Sequence, residues 1–216
     1  MEKITVYNEN GSSEKPAAVQ RGPILTWIVC AACVGIFVEL SQGKSHISNT
    51  LFYLTSSGIR SGNYWGLLTS VFTHVQLWHL LFNVYWLWIL GGLLEPAIGR
   101  LNWIGFFLIA AIASSGAQFA TSGSTGIGAS GVVYAMFGFM WIGRERYPGF
   151  QRIVTKQTIL LFLGWLIFCI IATRLNIFRV GNTAHVAGLL FGVGAAFLVL
   201  RHKTREFLPE QRKQQE

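Results

Sequence analysis

Six apolar runs decide what this chain can fold into: Pro23 to Leu40, Trp65 or Gly66 to Leu94, Leu101 to Ala120, Gly131 to Gly143, about Thr158 to Thr173, and about Thr183 to Leu200. Several approach the roughly 20 residues that an α-helix needs to cross a bilayer. Inside hydrocarbon each backbone N–H and C=O has to be satisfied within the protein, which leaves helices and closed barrels. Runs this long and this continuous favour helices. The expected fold is therefore all-α, a polytopic membrane protein with six transmembrane helices. Hydrophobic residues make up 52% of the chain against 12% charged ones, as such a bundle requires.

The runs divide the chain into three parts. Residues 1–22 are polar and aperiodic, and are expected to form a disordered tail. Residues 23–200 form the membrane domain, and 201–216 a basic C-terminal tail. The first run is too long for a secretory signal and has a lengthy, partly acidic lead-in, so it should stay as the first helix. Ser41 to Tyr64 is too polar to span and too aromatic to be wholly aqueous, which suits the membrane interface. Glu95-Pro96 with Arg100 is expected to end the second span through cap and interface contacts. The formal charge of +8 points to anionic lipid and not to nucleic acid, because of where it lies. Of the 17 Lys and Arg residues, only Lys44, Arg60, Arg174 and Arg179 fall outside the face shared by the two tails. By the positive-inside rule both termini are cytoplasmic. The expected location is a prokaryotic plasma membrane, with the lipid bilayer as a partner.

Polar groups within spans are expensive and are functional candidates by default. Gly128-Ala129-Ser130-Gly131 places a serine at the mouth of the short fourth helix, flanked by residues small enough for another backbone to approach. Taken alone, those four residues favour tight helix packing over chemistry. Depth supplies partners. At 1.5 Å per residue, Ser130 stands about 21 Å above Arg144, His185 about 24 Å above Arg201, and His79 about 24 Å above Glu95. Against a core of roughly 30 Å all three lie about 6 to 9 Å below the outer face. A serine becomes a nucleophile when a base takes its proton, and histidine is the usual base. The chain has no Asp, and Glu39 and Glu95 lie at the wrong levels, so the arrangement is a dyad without a carboxylate orienter. His79 and Asn83 share a helix face, and the Ser130 amide lies at a helix N-terminus; these are suitable oxyanion donors. Cys30, Cys33 and Cys169 have no metal-binding spacing and read as core or lipid-facing residues.

His74-x4-His79-x3-Asn83 on the second span, Gly128-x-Ser130-Gly131 with Tyr134 on the fourth, and Ala184-His185-x2-Gly188-x3-Gly192 on the sixth together resemble the rhomboid intramembrane serine proteases. The resemblance runs from about Trp65 to Leu200. It implies a rhomboid bundle in which Ser130 is the nucleophile and His185 the base. It also implies an oxyanion hole of His79, Asn83 and the Ser130 amide, with Tyr134 against the His185 ring. Gly128, Gly131, Gly188 and His74 would support that site. The implied activity is a serine endopeptidase that cleaves transmembrane segments of membrane proteins through an acyl-enzyme, with no cofactor.

Other readings compete with this one. A catalytically inactive rhomboid-like protein would bind transmembrane helices without cutting them, and a small transporter would use the same polar groups as a solute path. A zinc site of His74, His79 and His185 is conceivable, yet the first two are five apart and do not share a helix face, so no metal is expected. Ser114 and Gln118 share a face near the outer end of the third helix, where they would hold or pass water towards Ser130; interhelical hydrogen bonds explain them equally well. Substrate identity, oligomeric state and the role of His74 are not legible in the sequence.

Overall fold

The computed structural model describes residues 6–7, 13–14, 22–42, 59, 62 and 64–212. Most of the tail 1–22 and of the interfacial segment 41–64 lies outside the described residues, so the expectations placed on them are not addressed. Strand among the described residues amounts to Val6–Tyr7 (β1) paired antiparallel with Ser13–Glu14 (β2). Everything else regular is helical: α1 (Ile24–Ser41), α2 (Gly66–Thr69), α3 (Leu77–Ile98), α4 (Arg100–Ser122), α5 (Ser130–Gly143), α6 (Pro148–Gln151), α7 (Lys156–Arg174) and α8 (Asn182–Arg212). Five helices are long and apolar enough to cross a membrane, and α5 is the shorter sixth member. The last helix continues past Leu200 to Arg212.

The second apolar run is not one span, as the sequence had suggested. It breaks into α2, a 3-10 turn Ser70–Phe72, an extended link through Thr73 and Gln76, and then α3. The break has a purpose: the freed Ser70 carbonyl accepts from Gly128 N at 3.0 Å, so the loop before Ser130 is tied to it. Along α3 a π-helical turn, Leu87–Gly91, interrupts the α pattern. The helix then runs through Pro96 and stops at Gly99, whose φ of 85° only glycine adopts cheaply.

Glu95 does not cap its own helix. Its carboxylate, 1% exposed, accepts from Leu25 N at 3.1 Å, Thr26 N at 2.8 Å and Thr26 Oγ1 at 2.9 Å. The first N–H groups of α1 have no intrahelical partner, and the positive end of the helix dipole favours an anion there. Glu95 therefore pins α1 to α3, with Arg100 Nε at 3.7 Å completing the charge balance.

At the centre stands α5, buried along nearly all of its length. Its contact with α8 is backbone on backbone. A Cβ on Gly188 would collide with the Gly131 carbonyl, one on Gly192 with the Ala135 carbonyl, and one on Gly138 would lie 2.6 Å from the Leu189 carbonyl. Lipid gives helices no hydrophobic drive to associate, so close packing of small residues has to supply it.

Candidate active site

Ser130 is the first residue of α5, and the turn before it is built around Gly128. Gly128 has φ 98°, and a Cβ there would lie 2.6 Å from His79 Cε1 and 2.9 Å from its Nε2. Two bonds hold this turn to the broken second run. One is Gly128 N to the Ser70 carbonyl, and the other is Ala129 N to His74 Nε2 at 3.4 Å. For His74 Nε2 to accept, its ring proton has to sit on Nδ1, which faces the Phe72 carbonyl at 3.2 Å. His74 is fully buried in the link ahead of α3 and does not touch Ser130; it braces the turn that carries it.

From the first turn of α8, His185 Nε2 meets Ser130 Oγ at 2.7 Å. The imidazole is 4% exposed and stacks on Tyr134, with centroids 4.8 Å apart and planes at 27°. Its Nδ1 is buried and has no hydrogen-bond partner among the described residues. Among the described residues no carboxylate lines the cavity around it, and Glu95 is committed to α1. The glycines make this approach possible. A Cβ on Gly131 would lie 2.6 Å from Ser114 Oγ and 3.3 Å from the Ala184 carbonyl, so α4, α5 and α8 converge on that one residue.

His79 and Asn83 face the same cavity from α3. The Asn83 side chain, 1% exposed, donates Nδ2 to the His79 carbonyl at 2.8 Å, and its Oδ1 has no partner among the described residues. The His79 ring packs 5.1 Å from that of His74. Ser114 donates Oγ to the Ala110 carbonyl at 2.7 Å. Gln118 accepts from Ala184 N at 3.2 Å and donates to Ser122 Oγ at 3.0 Å.

Sequence reasoning missed two groups. Asn182 donates Nδ2 to Thr173 Oγ1 at 2.9 Å, joining the outer ends of α7 and α8. On the other wall, Phe82 of α3 packs on Trp165 of α7 with centroids 5.6 Å apart. Polarity at a helix start could have signalled Asn182; nothing in an aromatic-rich span singles out Phe82 or Trp165.

Ser130, His185, His79 and Asn83 share a cavity of about 720 Å³, whose walls also include Trp78 and Leu161 on the apolar outer surface and Arg179 in the α7–α8 loop. A serine hydroxyl in contact with an imidazole, beside a second imidazole and a carboxamide, in a pocket that reaches both an apolar exposed surface and a polar loop, offers the kinds of group that acyl transfer uses.

A family model described as the Rhomboid domain matches residues 61–202. Curated relatives named Rhomboid protease GlpG, from Salmonella paratyphi A, Salmonella typhi and Salmonella newport, are each 34% identical over 179 residues. Those alignments cover 82% of this chain and 63% of each relative, so the chain spans less than two thirds of their length. With the domain match extending over both the Ser130 turn and the first turn of α8, this integral membrane protein belongs to the rhomboid family.

Proposed function

We propose that the chain is an intramembrane serine endopeptidase that cleaves transmembrane segments of other membrane proteins by a Ser130–His185 dyad. The observation that carries this reading is the 2.7 Å contact between Ser130 Oγ and His185 Nε2, which is part-buried and borders a cavity large enough for a peptide. Nε2 accepts the Ser130 proton when the ring carries its own proton on Nδ1. Oγ attacks the scissile carbonyl and the imidazolium returns a proton to the leaving amine. Water then resolves the acyl-enzyme by the same route. The oxyanion is met by the Ser130 amide and the His79 ring; Asn83 joins them if Nδ2 turns from the His79 carbonyl towards the cavity.

Substrate reaches the dyad from the lipid between α3 and α7, where Phe82 and Trp165 close the wall. Its helix has to unwind locally, because a helical backbone is already hydrogen-bonded. Water comes from the opposite, loop-covered end, past Ser114. Both termini lie on the cytoplasmic side, as the charge distribution requires.

In proteoliposomes with a single-span substrate, Ser130→Ala and His185→Ala are each expected to lower cleavage by about 10³-fold or more while the protein stays folded. A fluorophosphonate should modify Ser130 in the parent and not in His185→Ala. Cleavage that persists in Ser130→Ala would overturn the reading, and a parent that binds the substrate without cutting it would favour a helix-binding relative.

A further inference from the structure

Without a carboxylate on Nδ1, something else has to hold His185 in register with Ser130. A shift of about 1 Å at a reacting group can cost about 100-fold in rate. Stacking on Tyr134 sets the plane of the ring but leaves it free to slide. The backbone that carries the ring is what the fold secures.

The first N–H groups of α8 have no intrahelical partner. Ala184 N, one residue before His185, is met by Gln118 Oε1 from α4 at 3.2 Å. The opposite end of the same carboxamide donates to Ser122 Oγ at 3.0 Å, and because Ala184 N can only donate, the carboxamide oxygen is the atom that faces α8. Gln118 also packs against glycines: a Cβ on Gly126 would lie 3.6 Å from its Cγ, and one on Gly181 would lie 3.5 Å from its Oε1. One turn further along α4, Thr121 Oγ1 donates to Thr183 Oγ1 at 3.0 Å. Two side chains of α4 thus grip the two residues immediately before the base.

We infer that Gln118 is a positioning residue for His185, supplying through the α8 backbone the orientation that a triad's carboxylate supplies through the ring. The inference rests on the protease reading above. It separates cleanly from a role in holding water, because orientation of the base is needed to form the acyl-enzyme, whereas the resolving water is needed only to break it down.

The test uses the full chain in liposomes. The rate of Ser130 modification by a fluorophosphonate is measured for the parent, Gln118→Leu, which lacks the acceptor, and Gln118→Glu, which keeps one, together with kcat and KM on a membrane substrate. Gln118→Leu is expected to slow modification and kcat about tenfold with KM within about twofold, and Gln118→Glu to recover most of the rate. Parent-rate modification of Gln118→Leu, with or without an accumulating acyl-enzyme, overturns the inference; accumulation assigns the residue to water instead. If Gln118→Leu fails to fold, Thr121→Val breaks the neighbouring grip and should slow modification about threefold, whereas no slowing overturns the inference. A parent that is never modified at Ser130 overturns the protease reading, and this inference falls with it.

Discussion

Two helices flank the dyad, and they are held in opposite ways. α8 meets α5 backbone to backbone, with Gly188 against the Gly131 carbonyl and Gly192 against the Ala135 carbonyl. α7 reaches the bundle through side chains. Phe162 stacks on Phe137 at 4.2 Å and meets Trp86 edge-on at 4.7 Å, while its carbonyl accepts from Tyr134 Oη at 2.9 Å. Trp165 rests on Phe82, and Asn182 ties the outer end. The outer face of α7 is bare, with Leu160 70% and Ile167 58% exposed. A backbone seam has no rotamers to change, whereas a helix held by rings and side-chain hydrogen bonds can move by small rotations. The seam thus fixes how closely α8 approaches α5, whereas α7 is held to the bundle by side chains.

The seam breaks most easily by adding atoms. Gly192→Val would drive a branched side chain into the Ala135 carbonyl and Phe139 N, and is expected to destabilise the fold by about 3 kcal/mol or more, at the upper end of overpacking costs. Thermal unfolding in micelles measures it. A loss below about 1 kcal/mol would mean that α5 and α8 separate readily, and the contrast with α7 would disappear.

Next in size is α1, which is fastened by charge. Glu95→Ala leaves Leu25 N, Thr26 N and Thr26 Oγ1 without their acceptor, at an expected cost of about 2 to 3 kcal/mol. Because Glu95 lies far from the dyad, the fraction that stays folded should react with a fluorophosphonate at Ser130 at the parent rate. A slower reaction would mean that α1 also helps to hold Ser130 and His185 together, beside the seam and the α4 side chains at the start of α8.

Tyr134→Phe is a smaller change. The ring that stacks on His185 stays, but the hydrogen bond to the Phe162 carbonyl is lost, at about 1 kcal/mol. Amide exchange should quicken across α7 and not across α5 or α8. Uniform quickening would show that α7 is no looser than the seam.

How much of this was legible follows from the range of each interaction. The helices appear as apolar runs because lipid imposes one constraint on every residue of a span. Ser130, His79 and His185 could be placed at one level because helical rise is fixed. Gly188 and Gly192 were visible as glycines on the sixth run, and only residues that small allow such a seam. The break at Thr73 was hidden, because apolar residues stand on both sides of it and the reason to break lies in the distant Gly128 turn. Glu95 was misjudged for a similar reason: its partners on α1 are about 70 residues away in sequence. Gln118 could be read equally as a water ligand or as an interhelical hydrogen-bonding group, because the Ala184 amide it meets has no signature in the letters.

The smallest expected effect tests the bare side of the comparison. Leu160 is 70% exposed on α7, and Leu90 on α3 is fully buried in the core. In water, truncating the first would already cost little; in a bilayer the lipid tail that replaces it is as apolar as leucine. Leu160→Ala should therefore change stability by no more than about 0.5 kcal/mol. Leu90→Ala leaves a cavity that lipid cannot enter, and should cost about 3 kcal/mol. If the two losses are equal, the outer face of α7 is packed in the membrane against another surface. The helix described here as loosely held would then owe its freedom to a missing neighbour, and cross-linking from a cysteine placed at Leu160 would find it.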